Sequence, residues 1–368
     1  MPPEGVAVAR RWDFLATELV KVGAHVSVLC RAHQRDPRAA LYEVLEIPGS
    51  STSNRLGLFR RALGELVFAV RSALKLRRLD FDVVLISTPF VPLLLARTAR
   101  RGRPLVVEIR DLAWEYVPDT PQGRLAGAVF RWIAAGGVRA SAAVVATTQG
   151  QVDAARELAR GRGDRIYSCV RNGADPSGVP LVDAAPADEP VVTYCGNLGI
   201  PQGLESFVRA AALAPEWRFV LVGDGAEDER LREVAARLGV GNVEFRGRVA
   251  AEAVASAYAE ARVLFAGLRS DPVYSVTIPS KIYECMAANR PLVYAGAGEA
   301  AAIVERSGGG IVVPPESPED IARALGELES RSRVDELAAA GLAFVRGEGS
   351  RDAGAVELQR VLTEVLAG

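Results

Sequence analysis

Lys281 and Glu284 carry the strongest chemical signal in the sequence, within Thr277-Ile278-Pro279-Ser280-Lys281-Ile282-Tyr283-Glu284-Cys285-Met286-Ala287-Ala288-Asn289-Arg290-Pro291. Pro279 and Ser280 read as a helix start with Ser280 as N-cap. Ile282, Cys285, Met286 and Ala288 give the helix an apolar side, and Pro291 opens a buried strand over 292–295. A helix start offers unpaired backbone N–H groups and the positive end of the macrodipole. With an ammonium from Lys281 beside them, these groups could hold a diphosphate. Glu284 follows by three residues and can share a face with Lys281. The same spacing describes an ordinary amphipathic helix with an exposed Lys–Glu pair, and spacing alone favours that plainer reading.

A second candidate lies upstream. The apolar run Val191 to Cys195 reads as a strand, followed by Gly196-Asn197-Leu198-Gly199-Ile200-Pro201-Gln202-Gly203. A glycine-rich turn between strand and helix lets backbone approach phosphates, although this spacing is not the dinucleotide fingerprint. Phe219 to Val222 is another strand, ending in Gly223-Asp224-Gly225, and Val243-Glu244-Phe245-Arg246-Gly247-Arg248-Val249 comes next. In the first half, Ser87 and Thr88 end one strand, and Arg110 and Asp111 end the strand 105–109. Ligands bind at the carboxyl ends of strands in doubly wound sheets, so both ends are candidate cleft walls. A salt bridge at a strand end would equally explain Arg110 and Asp111.

The stretch from Pro279 to Pro291 resembles the donor-site signature of family 4 retaining glycosyltransferases of the GT-B fold. It is most similar to a subgroup with a Pro-Ser-Lys-x-x-Glu-Tyr-Met-Ala-x-x-x-Pro pattern, L-fucosamine-type amino-deoxysugar transferases of O-antigen and capsule assembly. The likeness runs from Pro2 to the last helix, specific in the second half and looser in the first. It implies an α/β architecture of two Rossmann-like, doubly wound domains facing across a cleft. Glu284 would hold the ribose hydroxyls, and Ser280 with Lys281 the diphosphate. The loop Arg246-Gly247-Arg248-Val249 would receive the base, and Gly196, Asn197, Gly199, Gln202 and Gly223 would line the phosphates. Lys281, with Arg110 and Asp111, is the expected catalytic set, and Gly5, Ser87 and Thr88 the acceptor side. The expected donor is a UDP-linked sugar, itself a substrate, with no further cofactor and no metal. The acceptor would be lipid-linked or a glycan, transfer would retain configuration, and the product would be a cell-surface polysaccharide.

Departures from the family pattern are specific. Many members carry Arg and Lys where this chain has Asn197 and Gln202, which leaves Lys281 to meet the phosphate charge. Val276 stands eight positions before Glu284, where many members have a second glutamate, although the resembled subgroup lacks it too. After Arg110-Asp111-Leu112 the chain continues Ala113-Trp114-Glu115 instead of Trp-Pro-Glu. The family's proline-glycine loop follows a first strand, whereas here Pro2-Pro3-Glu4-Gly5 opens the chain, so a strand is expected to be missing upstream. Asp80-Phe81-Asp82 has the metal-binding spacing of a different glycosyltransferase fold but precedes its strand, so it reads as a solvated turn. A catalytically inactive relative or a GT-B nucleotide-sugar 2-epimerase are the competing functions.

These candidates need two compact domains to position them, which 368 residues, 49% of them hydrophobic, can supply. Residues 1–172 are the expected acceptor-side domain, and 173–190, with four prolines, a linker. Residues 191–350 are the expected nucleotide-sugar domain, with 351–368 a helix crossing back. Four cysteines without metal or disulfide spacing, no visible signal peptide and no bilayer-length apolar run suit a cytoplasmic protein. The net charge of −1 hides an asymmetry: +10 over residues 1–172 and −11 over 173–368. Aromatic platforms are not interleaved with the basic residues, which argues against nucleic acid. A helix expected over 55–79 carries Leu56, Phe59, Leu63, Leu66, Val67, Val70 and Leu74 on one side and Arg55, Arg60, Arg61, Arg71, Lys75, Arg77 and Arg78 on the other. Packing its apolar side on the sheet is the favoured reading, and peripheral contact with an anionic inner membrane face the alternative.

Overall fold

The structure is a computed structural model that describes residues 4–31, 41–47, 58–87, 100–112, 114–115, 120–160, 164–174 and 187–368. The chain divides into two compact units, one of residues 2–172 with 354–368 and one of residues 173–353. Most of the expected linker lies outside the described residues.

In the amino-terminal unit, α1 (Glu4–Lys21) is followed by a two-stranded parallel sheet of β1 (Ser27–Arg31) and β2 (Glu43–Ile47). After α2 (Leu58–Leu76) comes a second parallel sheet in the order β3-β4-β5-β6, formed by Val84–Ser87, Leu105–Ile109, Ala143–Ala146 and Ile166–Cys169. Helices α3 (Pro121–Ala140) and α4 (Gln149–Ala159) flank β5. Thr120 caps α3, its Oγ1 accepting from Gly123 N at 3.0 Å, with Pro121 in the first turn. The last helix, α12 (Arg351–Ala367), contributes Ala355, Leu358, Val361 and Val365 to the same core as Leu15, Val106 and Val145.

One buried charge organises this unit. Glu108 on β4 is 1% exposed and accepts from Arg11 Nε at 3.1 Å, from Trp12 Nε1 at 3.1 Å and from the Ser87 hydroxyl. Arg11 spends its remaining donors on the Arg171 and Val170 carbonyls, at 3.0 and 2.8 Å. A carboxylate at this depth is tolerated only because every side of it is met by a donor.

Two expectations need correction here. Gly5 stands in the first turn of α1, not in a loop, because the helix begins at Glu4. Helix α2 does not pack by its large apolar side: Leu66, Val67, Val70 and Leu74 are 36–56% exposed, whereas Ala69 is 1% exposed. Apolar residues cover well over half its circumference, so periodicity could not choose the buried stripe, and small residues make the closer fit. Asp80 and Asp82 are exposed in the turn before β3, as expected.

The carboxy-terminal unit is a six-stranded parallel sheet in the order β9-β8-β7-β10-β11-β12. Its strands are Val191–Cys195 (β7), Arg218–Val222 (β8), Val243–Gly247 (β9), Val263–Gly267 (β10), Leu292–Ala295 (β11) and Gly310–Val313 (β12). Successive strand residues feed opposite cores: Phe219, Leu221 and Phe265 join Phe207 and Trp217 on one face, and Val220, Leu264 and Tyr294 join Tyr258, Ile282 and Met286 on the other. That is why these strands read as unbroken apolar runs. No described helix is long and apolar enough to cross a membrane.

Because Glu108 has no water to fall back on, Arg11→Met is expected to destabilise the protein by roughly 3–5 kcal/mol, the range for stranding one partner of a buried pair. Denaturant unfolding of the variant checks this, and a loss below about 1 kcal/mol would refute the assigned role.

Candidate active site

The strand order of the carboxy-terminal unit changes direction between β7 and β10, the switch point at which ligands bind beyond the carboxyl ends of the strands in doubly wound sheets. The glycine-rich turn 196–203 leaves β7, and the segment 268–279 leaves β10 and leads into α8 (Ser280–Ala287). The two stay tied: Arg269 N donates to Pro201 O at 2.9 Å, and a Cβ at Gly267 would stand 2.9 Å from Gln202 O.

At this switch point the structure brings Lys281 onto Gly196. A Cβ built at Gly196 would fall 2.1 Å from Lys281 Cε, 2.3 Å from its Nζ and 2.8 Å from Tyr194 Oη. The missing side chain is therefore the trough in which the lysine lies. Beneath it is the Tyr194 ring, with Nζ 5.8 Å from its centroid, and Tyr194 Oη donates to Asn197 O at 2.7 Å. No ion pair joins Lys281 to Glu284 or to any other carboxylate among the described residues. Glu284 instead accepts from Ser280 Oγ at 3.2 Å, and both Lys281 and Glu284 are half-buried. An exposed, solvated Lys–Glu pair is not what this helix carries.

Ser280 is not the N-cap. Pro279 takes that position with φ −62° and ψ 132°, and Ser280 is the first helical residue. Proline has no N–H to satisfy there, which leaves the serine hydroxyl to turn back to Glu284. At the other end, Asn289 adopts a left-handed φ of 55° just beyond the C-cap. Arg290, fully buried, donates to the carbonyls of Ala261 and Ala259 at 2.8 and 3.1 Å.

The electrostatics converge on the end of β7. Burial pushes the Cys195 thiol up to about 12, with the Lys281 and Arg246 charges drawing it down and Glu284 drawing it up. The thiol stays protonated near neutrality and is no nucleophile there. Three charged side chains from two segments, α8 and β9, thus act on one point.

The phosphate-loop candidates pack by backbone. Gly223 has φ +142°, and a Cβ there would stand 1.8 Å from Gly196 O, so only glycine fits. Gly223 N donates to Gly247 O, Gly196 N to Val222 O and Leu198 N to Asp224 O, each at 2.8 Å. The turns after β7, β8 and β9 form one hydrogen-bonded rim. Asn197 and Gln202 converge on Gly199, with Nδ2 and Oε1 at 2.6 and 2.7 Å from a Cβ built there, and Gln202 Oε1 is buried without a partner. Arg246 is committed to acids: Nε to Glu244 at 2.7 Å and Nη1 to Glu260 at 2.7 Å, the Glu244 bond being the main cause of its raised pKa. Arg248 Nη1 stands 3.9 Å from Asp224 Oδ2, and Val249 packs against the core, so the backbone of 246–249 is what the loop has to offer.

The remaining candidates belong to the amino-terminal unit. Ser87 turns inward to Glu108, Arg110 has a buried Nε without a partner, and its carbonyl accepts from Gln151 Nε2 at 2.8 Å. Asp111 presents exposed surface, yet the protein crowded around its carboxyl raises its pKa, with Arg110 pulling the other way. Thr88 lies outside the described residues. Sequence reasoning missed Tyr194, whose place inside an apolar strand gave no sign that its hydroxyl would hold the turn above it.

Two family models match this architecture: "Glycosyl transferase 4-like domain" over residues 7–167 and "Glycosyl transferases group 1" over residues 189–331. The chain belongs to the GT-B glycosyltransferases and is an enzyme of glycosyl transfer. It is 28% identical over 322 residues to the alpha-D-kanosaminyltransferase of Streptomyces kanamyceticus, covering 80% of this chain and 81% of that one. The sucrose-phosphate synthase of Thermosynechococcus elongatus shares the fold, with a TM-score of 0.76 and 19% identity over 96% of this chain and 92% of that one. HepE of Anabaena, solved in complex with UDP-glucose, does so with a TM-score of 0.72 and 19% identity over 99% and 97%.

The trough gives a prediction that needs no change to the lysine. Gly196→Ala is expected to displace Lys281, a flexible tip, and so to reproduce the kinetic defect of Lys281→Ala with a stability loss under about 1 kcal/mol. Gly223→Ala would meet backbone instead and destabilise by about 2 kcal/mol or more. Turnover and melting curves for both variants check this; a fully active Gly196→Ala would show that the lysine's position is irrelevant.

Proposed function

We propose that the carboxy-terminal unit binds a UDP-linked sugar, with Lys281 and the start of α8 on the diphosphate, Glu284 on the ribose and the backbone of 246–249 on the base. The observation that carries this is Lys281 lying over Gly196 with no carboxylate paired to it among the described residues. An ammonium held over a backbone rim at the end of a parallel strand can neutralise charge that grows on a leaving diphosphate. HepE, of the same fold, binds UDP-glucose. The kanosaminyltransferase is named for moving an amino sugar, which supports an amino-deoxysugar as the group transferred here. In this reading transfer retains configuration and needs no metal. Arg110 and Asp111 serve the acceptor, a lipid-linked saccharide or glycan in cell-surface polysaccharide synthesis at the cytoplasmic side. The exposed apolar residues of α2, beside Arg71, Lys75, Arg77 and Arg78, support attachment to an anionic membrane surface.

Glu284→Gln is expected to weaken UDP binding by about 1–3 kcal/mol, the range for hydrogen bonds to a charged group. Lys281→Ala should lower both affinity and kcat, because leaving-group charge increases towards the transition state. Calorimetry with UDP and turnover with a panel of UDP-sugars read this out, with melting curves as a folding control. Variants that melt and bind UDP like the parent would defeat the assignment. Chelator should leave turnover within a factor of about two, and a much larger loss would refute metal-free transfer.

A further inference from the structure

Helix α3 repeats, more sharply, the inversion seen in α2. Its buried side is made of small residues and two aliphatics: Gly123, Gly127, Ala134, Ala135 and Gly137 with Ile133 and Val138. Leu125, Val129 and Trp132 face outward, 68%, 47% and 67% exposed. Their spacing of four and three sets them in one stripe along the helix. Arg124, Arg131 and Arg139 are exposed on the same helix, which has no acidic residue in its 20 positions. We infer that the outer face of α3 is a lipid-contact surface for an anionic bilayer, separate from that of α2: the Leu125–Val129–Trp132 stripe enters the headgroup–acyl boundary while the arginines meet lipid phosphates.

Three features select this occupant. A tryptophan two-thirds exposed beside aliphatic side chains is unfavourable in water and suited to the bilayer interface, where the indole N–H stays wet. Arginines on a helix with no acid of its own complement an anionic surface, and they lie in the half of the chain that carries +10. Arg131 stands 3.8 Å from Glu115, an exposed pair that lipid phosphate can replace at little cost. A second copy of the same helix would instead bring like charges together, since an isologous contact sets a surface against itself. The proposal concerns the amino-terminal unit alone and does not depend on the donor assignment.

Trp132 supplies its own reporter. Of the four tryptophans, Trp114 and Trp217 are buried and Trp12 donates to Glu108, so a change in environment at the surface registers through Trp132. Vesicles containing phosphatidylglycerol should shift the emission to the blue, while pure phosphatidylcholine vesicles should not. The shift should vanish in Trp132→Phe and be reversed by high salt. Leu125→Ser with Trp132→Ser should lower co-sedimentation on the order of tenfold per residue, and Arg124→Gln with Arg131→Gln about fivefold per charge. Leu66→Ser with Leu74→Ser separates the two helices: the Trp132 shift should persist in it. Binding to anionic vesicles without movement of the Trp132 emission would overturn the proposal and leave α2 as the sole anchor. Equal binding to neutral vesicles, or a concentration-dependent dimer abolished by Trp132→Ser, would overturn it as well. Melting curves and UDP affinity unchanged in these variants confirm that folding is not what was altered.

Discussion

The close approach of two turns at the carboxyl ends of β7 and β8 is the constraint from which the candidate site follows. Gly223 rests on the Gly196 carbonyl, at a φ that no side chain tolerates and a distance that no Cβ permits. Once these backbones are in contact, the space above Gly196 is fixed, and the only group long enough to enter it from α8 while keeping a charge at its tip is Lys281. Tyr194 closes the arrangement from below, holding the turn by Asn197 O and presenting its ring to the ammonium. The site is a consequence of parallel-sheet packing in which Gly223 has no room for a side chain and Gly196, by lacking one, leaves room for the lysine.

The amino-terminal unit is built on a different economy of charge. Its central carboxylate, Glu108, is fully buried, and its donors come from α1 and β3. Arg11 extends the network to the Val170 and Arg171 carbonyls just beyond β6, so one side chain ties the first helix to the last strand of the sheet. Such a network stabilises little relative to an apolar core of equal volume, but any member lost leaves the others unsatisfied. Its effect is to fix where α1 lies over the sheet.

Much of the fold was legible in local pattern. Apolar runs marked five of the six strands of the carboxy-terminal sheet, and glycine or proline punctuation marked their ends, because both faces of a parallel sheet are covered; β9, Val243–Gly247, carries Glu244 and Arg246 at the sheet edge and was read only as the base-binding stretch. The spacing of Lys281 and Glu284 identified their helix correctly, and the glycine turn at 196 was singled out independently. That the two would touch was not in either pattern, since it depends on a strand order that periodicity does not encode. Ser280 was misassigned by one position because Pro279 could take the cap without a side-chain bond. For a related reason the expected apolar side of α2 is, at its described residues Leu66, Val67, Val70 and Leu74, not the side that is buried. Size and hydropathy rank Leu66 and Leu74 above Ala69 as core, yet the residue that lets a helix approach a sheet most closely is the small one.

Arginine and lysine divide the work in the carboxy-terminal unit in a way that bears on which cation can act. Arg246 is held by Glu244 and Glu260, Arg269 by Glu316, Arg218 by Glu244 and Glu189, and Arg230 by Glu205 and Glu227. Planar guanidinium groups suit such fixed, multidentate pairing, and an acid-rich surface supplies the partners. Lys281 is the exception at the strand ends, half-buried and with no carboxylate paired to it among the described residues. A paired cation adds little to a new anion, because its field is already cancelled at short range. An unpaired one over a rim of backbone amides keeps its field for whatever enters the site. The acidic balance of this half is therefore no argument against binding a diphosphate: the acids neutralise the arginines around the site and leave the lysine within it exposed to the ligand.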